Sequence, residues 1–268
     1  MTRFDGRALL AVFAHPDDES LAAGGLLAWC AALGVHVSVL SLTHGEQGRS
    51  TDPDASTGTF ALGDLRAREL AAAARELGVE EVRVLNHADG MLPWLDGARL
   101  ERDIAEAIRD AAADVVVTFD EDGLYWHPDH VAVHERTTAA VGAISDEPPA
   151  LYYVSIPPGA MRAVADAMAD PAALTGDAPP PSILGVGDPD AFGAHAPAPT
   201  LILDTGAFAR RKLRALTRHR TQLGGGAIDT LRETDAPRLL GIEHYRRAAV
   251  GAAGPCFLDR LAGAPAVG

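Results

Sequence analysis

His15-Pro16-Asp17-Asp18-Glu19 follows directly on the apolar run Leu9-Leu10-Ala11-Val12-Phe13-Ala14, and the junction between the two decides the fold. A short apolar run without polar alternation marks a strand covered on both faces, as in a parallel sheet. In an open α/β sheet the carboxyl ends of the strands border the crevice where ligands bind. One imidazole and three carboxylates at that edge therefore point to a site, and a divalent metal accounts for them. His15 and Asp18 can turn toward one ion while Asp17 stays off it as a base, the division of labour that hydrolytic zinc sites use.

Catalytic zinc takes three protein ligands and keeps a position open, so a third ligand is expected elsewhere in the chain. The best candidate is His130, in Gly123-Leu124-Tyr125-Trp126-His127-Pro128-Asp129-His130, which follows a second strand-like run, Asp114-Val115-Val116-Val117-Thr118-Phe119. Its rival is His134, four residues on and on the same helical face. No Glu follows His130 as the metalloprotease signature requires, which favours His130.

Strand-like runs at 8–14, 36–42, 81–85 and 114–119 alternate with helix-like runs at 20–33, 64–77 and 97–112, and a further helix is expected from Asp129. This is the βαβ pattern of an α/β fold: a mostly parallel sheet with helices on both faces. Leu151 to Ile156 reads as a fifth strand, and residues 170–200, rich in Pro and Gly, read as loop. Thr200 to Leu203 reads as a short strand and 206–222 as an amphipathic helix whose basic run, Arg210 to Arg214, reads as a solvated face. One domain over 1–268 is expected, with a core at 1–150 and a loop-rich, pocket-shaping C-terminal part at 151–268. Thr51 to Thr59 reads as a loop above the sheet, placed where a lid would be useful.

A net charge of -14 and a pI near 5.0 would repel phosphate backbones and anionic lipid, and no dense Lys/Arg block appears. Nucleic acid and membrane are therefore not expected partners; a small molecule is. Two cysteines, Cys30 and Cys256, are too few for a disulfide framework. Neither a leader nor a bilayer-length apolar stretch is seen, and a cytoplasmic protein is expected.

Ala14-His15-Pro16-Asp17-Asp18-Glu19 together with His127-Pro128-Asp129-His130 resembles the LmbE-like (PIG-L) family of metal-dependent N-deacetylases. Thr43-His44-Gly45-Glu46-Gln47-Gly48 and Arg66-Ala67-Arg68-Glu69-Leu70 are similar to two further motifs of that family, so the likeness covers roughly residues 8–140. It implies a Rossmann-like sheet, zinc, and removal of acetyl or other acyl groups from amino sugars such as precursors of mycothiol and bacillithiol, or from glycopeptide antibiotics. It also implies His15, Asp18 and His130 as metal ligands and Asp17 as general base. His127 would polarise the carbonyl or protonate the leaving amine, and Tyr125 would donate to the oxyanion. Asp129 is expected to hold the other ring nitrogen of His127 and raise its pKa.

Glu46 and Arg66 are candidates for holding substrate hydroxyls, and Asp89, in an Asp-Gly turn after the third strand, is a third. Glu19 is explained by first-turn stabilisation of a helix or by a hydrogen bond to a group that backs the site. Trp126 stands where the family commonly has Gly and would narrow the pocket mouth. Two histidines and one aspartate suit Zn2+, and Fe2+ as well. Two alternatives remain open: an amidase for thiol conjugates of mycothiol type, and a metal- or nucleotide-binding module without turnover. Asp17 and the lack of a Gly-x-Gly-x-x-Gly opening count against the module.

Overall fold

The computed structural model describes residues 3–48, 50, 59–168, 182–223 and 227–262. Its centre is the predicted strand β1 (Ala8–Phe13), buried at every position. β2 (His36–Thr43) and β4 (Val115–Phe119) flank it in parallel; β3 (Glu81–His87) lies outside β2 and β5 (Ala150–Ser155) outside β4, again in parallel. The order β3-β2-β1-β4-β5-β7-β6 reverses direction between β1 and β4, and it is at such a switch point that an α/β sheet opens its crevice.

Helices α1 (Asp18–Ala32), α2 (Thr59–Leu77), α3 (Gly97–Asp110) and α5 (Pro128–Gly142) connect the parallel strands, and Gly123–Trp126 forms one distorted turn, α4. α2 begins five residues before the expected start. The expected lid at 51–58 and the Pro- and Gly-rich stretch at 170–181 lie outside the described residues. α6 (Ala160–Met168) follows β5.

The sequence reading missed β7 (Ile242–Gly251), which runs antiparallel to β5 and pairs with β6 (Leu201–Asp204) on its other side. Charged residues break up the apolar pattern of β7, yet alternation turns Glu243 and Tyr245 into the core. The helix expected at 206–222 is divided into α7 (Ala209–Leu216) and α8 (Arg220–Leu223). Hydrogen bonds from Arg218 N to Ala215 O and from His219 N to Leu216 O, each spanning three residues, tighten the chain and end α7.

Nor is the basic run of α7 wholly solvated. Lys212 is buried, and its Nζ donates to Glu243 Oε1 at 2.7 Å. The Glu243 carboxylate also accepts from the amides of Gly25 and Leu26 in α1, each at 2.8 Å, and from the Tyr245 hydroxyl at 2.8 Å. Gly25 permits this approach: a Cβ there would stand 2.7 Å from Thr205 Cβ and 2.9 Å from Glu243 Oε1. α1 is thus buried between the sheet and α7, which explains why it is apolar nearly all round.

Cys30 and Cys256 are both free thiols, Cys30 in the core and Cys256 partly exposed. Among the described residues no helix is long and apolar enough to cross a membrane.

Candidate active site

β1 and β4 end side by side, and the two motif-bearing segments meet above them. Asp18 opens α1, while Pro128, pre-set for the first helical turn, opens α5 and delivers His130 one turn in. His15 Nδ1 lies 3.2 Å from His130 Nε2 and 3.4 Å from Asp18 Oδ2, and His130 Nε2 lies 3.3 Å from Asp18 Oδ1. Ligand atoms about 2.0 to 2.1 Å from a tetrahedral ion stand about 3.3 to 3.4 Å apart. The three spacings, two of them to different oxygens of Asp18, lie close to that edge length, so one imidazole nitrogen from each histidine and the Asp18 carboxylate could share an ion. His127 also gathers with His15 and His130, and Asp89 and Asp129 with His15, in groups that could hold an ion.

Each histidine is oriented from behind, as a metal ligand requires. His130 Nδ1 donates to Gly123 O at 3.1 Å, and its ring stacks on Phe119 with centroids 4.0 Å apart. His15 Nε2 faces Asp89 Oδ1 at 3.0 Å and Asp129 Oδ2 at 3.2 Å. That leaves Nδ1 of His15 and Nε2 of His130 turned toward Asp18.

The electrostatics suit a cation. Burial opposes charge on His15, but hydrogen bonds to Asp129, Asp18 and Asp89 outweigh it and push the imidazole well above its ordinary range. A divalent ion would displace that proton. Burial, with His15 and His127 adding to it, pushes His130 down to about 3, so it is neutral and ready to ligate. Burial would raise Asp18, yet His130 and His15 hold it well below the usual carboxylate range.

Asp17 sits on the other side of the turn. Burial, reinforced by Asp18 and opposed by Arg66, raises its pKa to about 6. Arg66 Nη2 donates to Asp17 Oδ2 at 3.1 Å and to Pro16 O at 2.6 Å, and Arg66 Nη1 donates to Gly45 O at 2.7 Å. Gly45 and Gly48 make room for it, since a Cβ at either would run into the guanidinium. Glu46 Oε1 accepts from Asp89 N at 2.9 Å, and Asp89 Oδ2 accepts from Gln47 N at 2.7 Å. The three residues expected to hold substrate hydroxyls are therefore largely committed to the protein itself: Arg66 to Asp17, Asp89 to His15, Glu46 to Asp89. Glu46 Oε2, buried without a partner among the described residues, remains free.

The expected contact between the Asp129 carboxylate and the His127 ring does not form. That carboxylate accepts from Gly90 N at 2.7 Å and Leu92 N at 3.1 Å and faces His15. Only the Asp129 backbone amide reaches His127, donating to Nδ1 at 3.2 Å and capping α5. The His127 pKa is accordingly lowered, first by burial and then by His15, where a rise had been expected. With Nδ1 as acceptor, neutral His127 carries its proton on Nε2.

Tyr125 packs against His130, His127 and Phe192, with centroids 5.3, 5.8 and 4.9 Å away. Burial, with Asp18 and Asp17 behind it, pushes its hydroxyl well above the ordinary phenol range, so it stays a donor. The turn that carries it is contorted: Leu124 and Trp126 have φ of 67° and 63°, and Gly193 N ties it down through Leu124 O at 2.8 Å. Trp126 is exposed, edge-on to His195 at 5.9 Å.

His134 turns away and bonds Phe119 O through Nδ1 at 2.9 Å. Of the two expectations for Glu19, the hydrogen-bonded one is seen: Oε2 accepts from Asp17 N at 3.0 Å and Oε1 faces His219 Nε2 at 2.9 Å. The sequence reading missed His219, hidden between Arg218 and Arg220 in a basic stretch.

Two buried histidines and an aspartate with a second buried carboxylate beside them, at the switch point of an α/β sheet, suit the chemistry of a metal-dependent hydrolase. Residues 10–141 match the family model for PIG-L, GlcNAc-PI de-N-acetylase. The 1D-myo-inositol 2-acetamido-2-deoxy-alpha-D-glucopyranoside deacetylase of Acidothermus cellulolyticus is 36% identical, over 89% of this chain and 88% of its own. The chain belongs to the PIG-L (LmbE-like) family of metal-dependent deacetylases. In fold it resembles the N,N'-diacetylchitobiose deacetylase of Pyrococcus horikoshii (TM-score 0.64, 20% identity, 90% of this chain and 84% of that one). It also resembles the 4-carboxy-2-hydroxymuconate hydratase GalB of Pseudomonas putida (TM-score 0.62, 18% identity, 93% and 99%). Since a hydratase shares the architecture, the chemistry has to be argued from the site.

Proposed function

We propose that this chain is a zinc-dependent amide hydrolase that removes the N-acetyl group from a 2-acetamido-2-deoxyglucopyranoside, most readily one linked to a cyclic polyol. The observation that carries the reading is the convergence of His15 Nδ1, His130 Nε2 and the Asp18 carboxylate within 3.2 to 3.4 Å of one another, with Asp17 next to them in sequence. The substrate class rests on relatives 32% to 36% identical that are named as deacetylases of an inositol-linked acetamido sugar. Two nitrogen donors and one carboxylate suit Zn2+, and the same set accepts Fe2+.

When bound, such an ion supplies positive charge that polarises the acyl oxygen and acidifies the attacking water. The chain's own groups do the rest. Asp17, ionised at neutral pH yet far more basic than an exposed carboxylate, accepts the proton that the water gives up as its oxygen bonds to the acyl carbon. Arg66 holds the carboxylate in place. His127 Nε2–H and the Tyr125 hydroxyl donate to the oxygen that takes on negative charge. Because His127 is neutral, Asp17 is also the proton source for the departing amine: the C–N bond breaks as that proton moves to nitrogen, leaving acetate, the free amino sugar and Asp17 ionised again.

Residues 1–268 act as one unit in this proposal: β6 and β7 complete the sheet, and His219 meets Glu19 behind Asp17. A cytoplasmic location accords with the two free thiols. The test is acetate release from the inositol-linked acetamido sugar, free N-acetylglucosamine and N,N'-diacetylchitobiose, with metal content measured on the same sample and Zn2+ or Fe2+ restored after chelation. No acetate from any of the three by metal-loaded protein would refute the proposal.

A further inference from the structure

Asp17 adopts φ 123° and ψ -28°, a conformation L-residues avoid and one that costs about 1 to 3 kcal/mol unless the surroundings enforce it. The Asp18 carboxylate accepts from His15 N at 2.8 Å at the start of this turn, and two further groups grip Asp17 and its preceding carbonyl. Arg66 holds the Pro16 carbonyl and the Asp17 carboxylate, and Glu19 Oε2 receives the Asp17 amide at 3.0 Å. A Glu side chain has three rotatable bonds, so its grip is only as firm as whatever holds its other oxygen. That oxygen faces His219 Nε2 at 2.9 Å and accepts from the Ser20 hydroxyl.

His219 is wholly buried and comes from the turn between α7 and α8, about 200 residues away in sequence. That turn is itself anchored: Thr221 N and Oγ1 donate to Glu69 Oε1 and Oε2 at 3.0 and 2.7 Å. Glu69 lies three residues after Arg66 on α2, on the same side of the helix. The contacts close into a ring, from Asp17 to Glu19, His219, Thr221, Glu69, back along α2 to Arg66, and from Arg66 to Asp17.

We infer that His219 is a positioning residue for the reaction proposed above, one that fixes the Glu19 carboxylate so that it locks the strained Asp17 backbone and aims the base. It touches neither substrate nor the three groups that would hold the ion. Its loss lets Glu19 swing and Asp17 relax toward an ordinary φ, displacing the carboxylate by a fraction of its own length, and a misplacement near 1 Å can cost about 10²-fold in rate.

The experiment compares His219→Ala, His219→Leu and His219→Gln with the wild type in kcat, KM, metal content, melting temperature and hydrogen exchange of the Asp17 amide. For His219→Ala and His219→Leu the expected result is full metal content, KM within about twofold, kcat lower by roughly 10- to 10²-fold, and faster exchange of the Asp17 amide. His219→Gln, whose side-chain amide can donate to the same carboxylate oxygen, recovers most of the rate and the protection. Should His219→Ala fail to fold, His219→Gln against His219→Leu reads the same contrast. A lower melting temperature with unchanged kcat per folded molecule and unchanged Asp17 exchange overturns the inference, as does a Gln variant no better than Leu. A wild type inert on every acetamido sugar refutes the proposed reaction instead, and the exchange measurement still decides the brace.

Discussion

Asp17→Asn keeps the shape of the side chain and removes its charge, which separates the base from everything else at the site. The carboxylate is buried, touches Arg66 at 3.1 Å, and has its pKa raised from the usual 3.8 to about 6. At pH 7 it is therefore mostly ionised while binding a proton on the order of 10²-fold more tightly than an exposed aspartate. Its loss should lower kcat by roughly 10²- to 10⁴-fold, about 3 to 5 kcal/mol in the barrier, with metal content unchanged. Stability should move the other way. The folded chain binds this proton more tightly than the unfolded chain, so the stability it contributes is fully present below pH about 3.8 and is lost as pH rises through about 6. The gap corresponds to at most roughly 3 kcal/mol, at about 1.4 kcal/mol per tenfold change in proton affinity. Chelated Asp17→Asn protein should therefore be more stable than chelated wild type at pH 7.5, and the difference should vanish below pH 4. Acetate release, metal analysis and urea unfolding at both pH values provide the assay. A variant that keeps its rate, loses its metal, or is less stable at pH 7.5 than the wild type would refute the reasoning.

Asp18→Ala or His130→Ala should empty the metal site by elemental analysis, whereas His134→Ala should leave it full, because His134 is spent on Phe119 O. Asp129→Ala should weaken metal binding by roughly 10- to 100-fold in a chelator competition, since His15 and the Gly90 and Leu92 amides lose an acceptor. His127→Ala should keep metal and KM while kcat falls about 10²- to 10³-fold, the loss of one preorganised donor; an emptied site would make it a ligand. Glu243→Ala should destabilise by about 3 to 5 kcal/mol in urea unfolding, because it strands a buried Lys212 and the Tyr245 hydroxyl; a loss below 1 kcal/mol would show that the pair is dispensable.

What the sequence determined by itself is local. The apolar runs of β1 and β4 identify buried parallel strands, and the polar clusters directly after them lie on the crevice edge, so His15, Asp17, Asp18 and His130 could be picked out without coordinates, while Tyr125 and His127 were singled out by the family motif. Each needs only the direction of its own strand to be placed. Pairings across the fold were another matter. Asp129 had two histidines within reach, and the docking of α5 against the Gly90 turn decided for His15 over His127. Lys212 looked solvated because its partner Glu243 lies on β7, whose mixed pattern hides a strand that only antiparallel pairing with β5 completes. His219 sits in a run of arginines and acquires its role only because Glu69 pins its turn behind Asp17. Periodicity reports which face of an element is buried, but strand order and helix docking select the partner it meets there, and those depend on contacts summed over the whole chain.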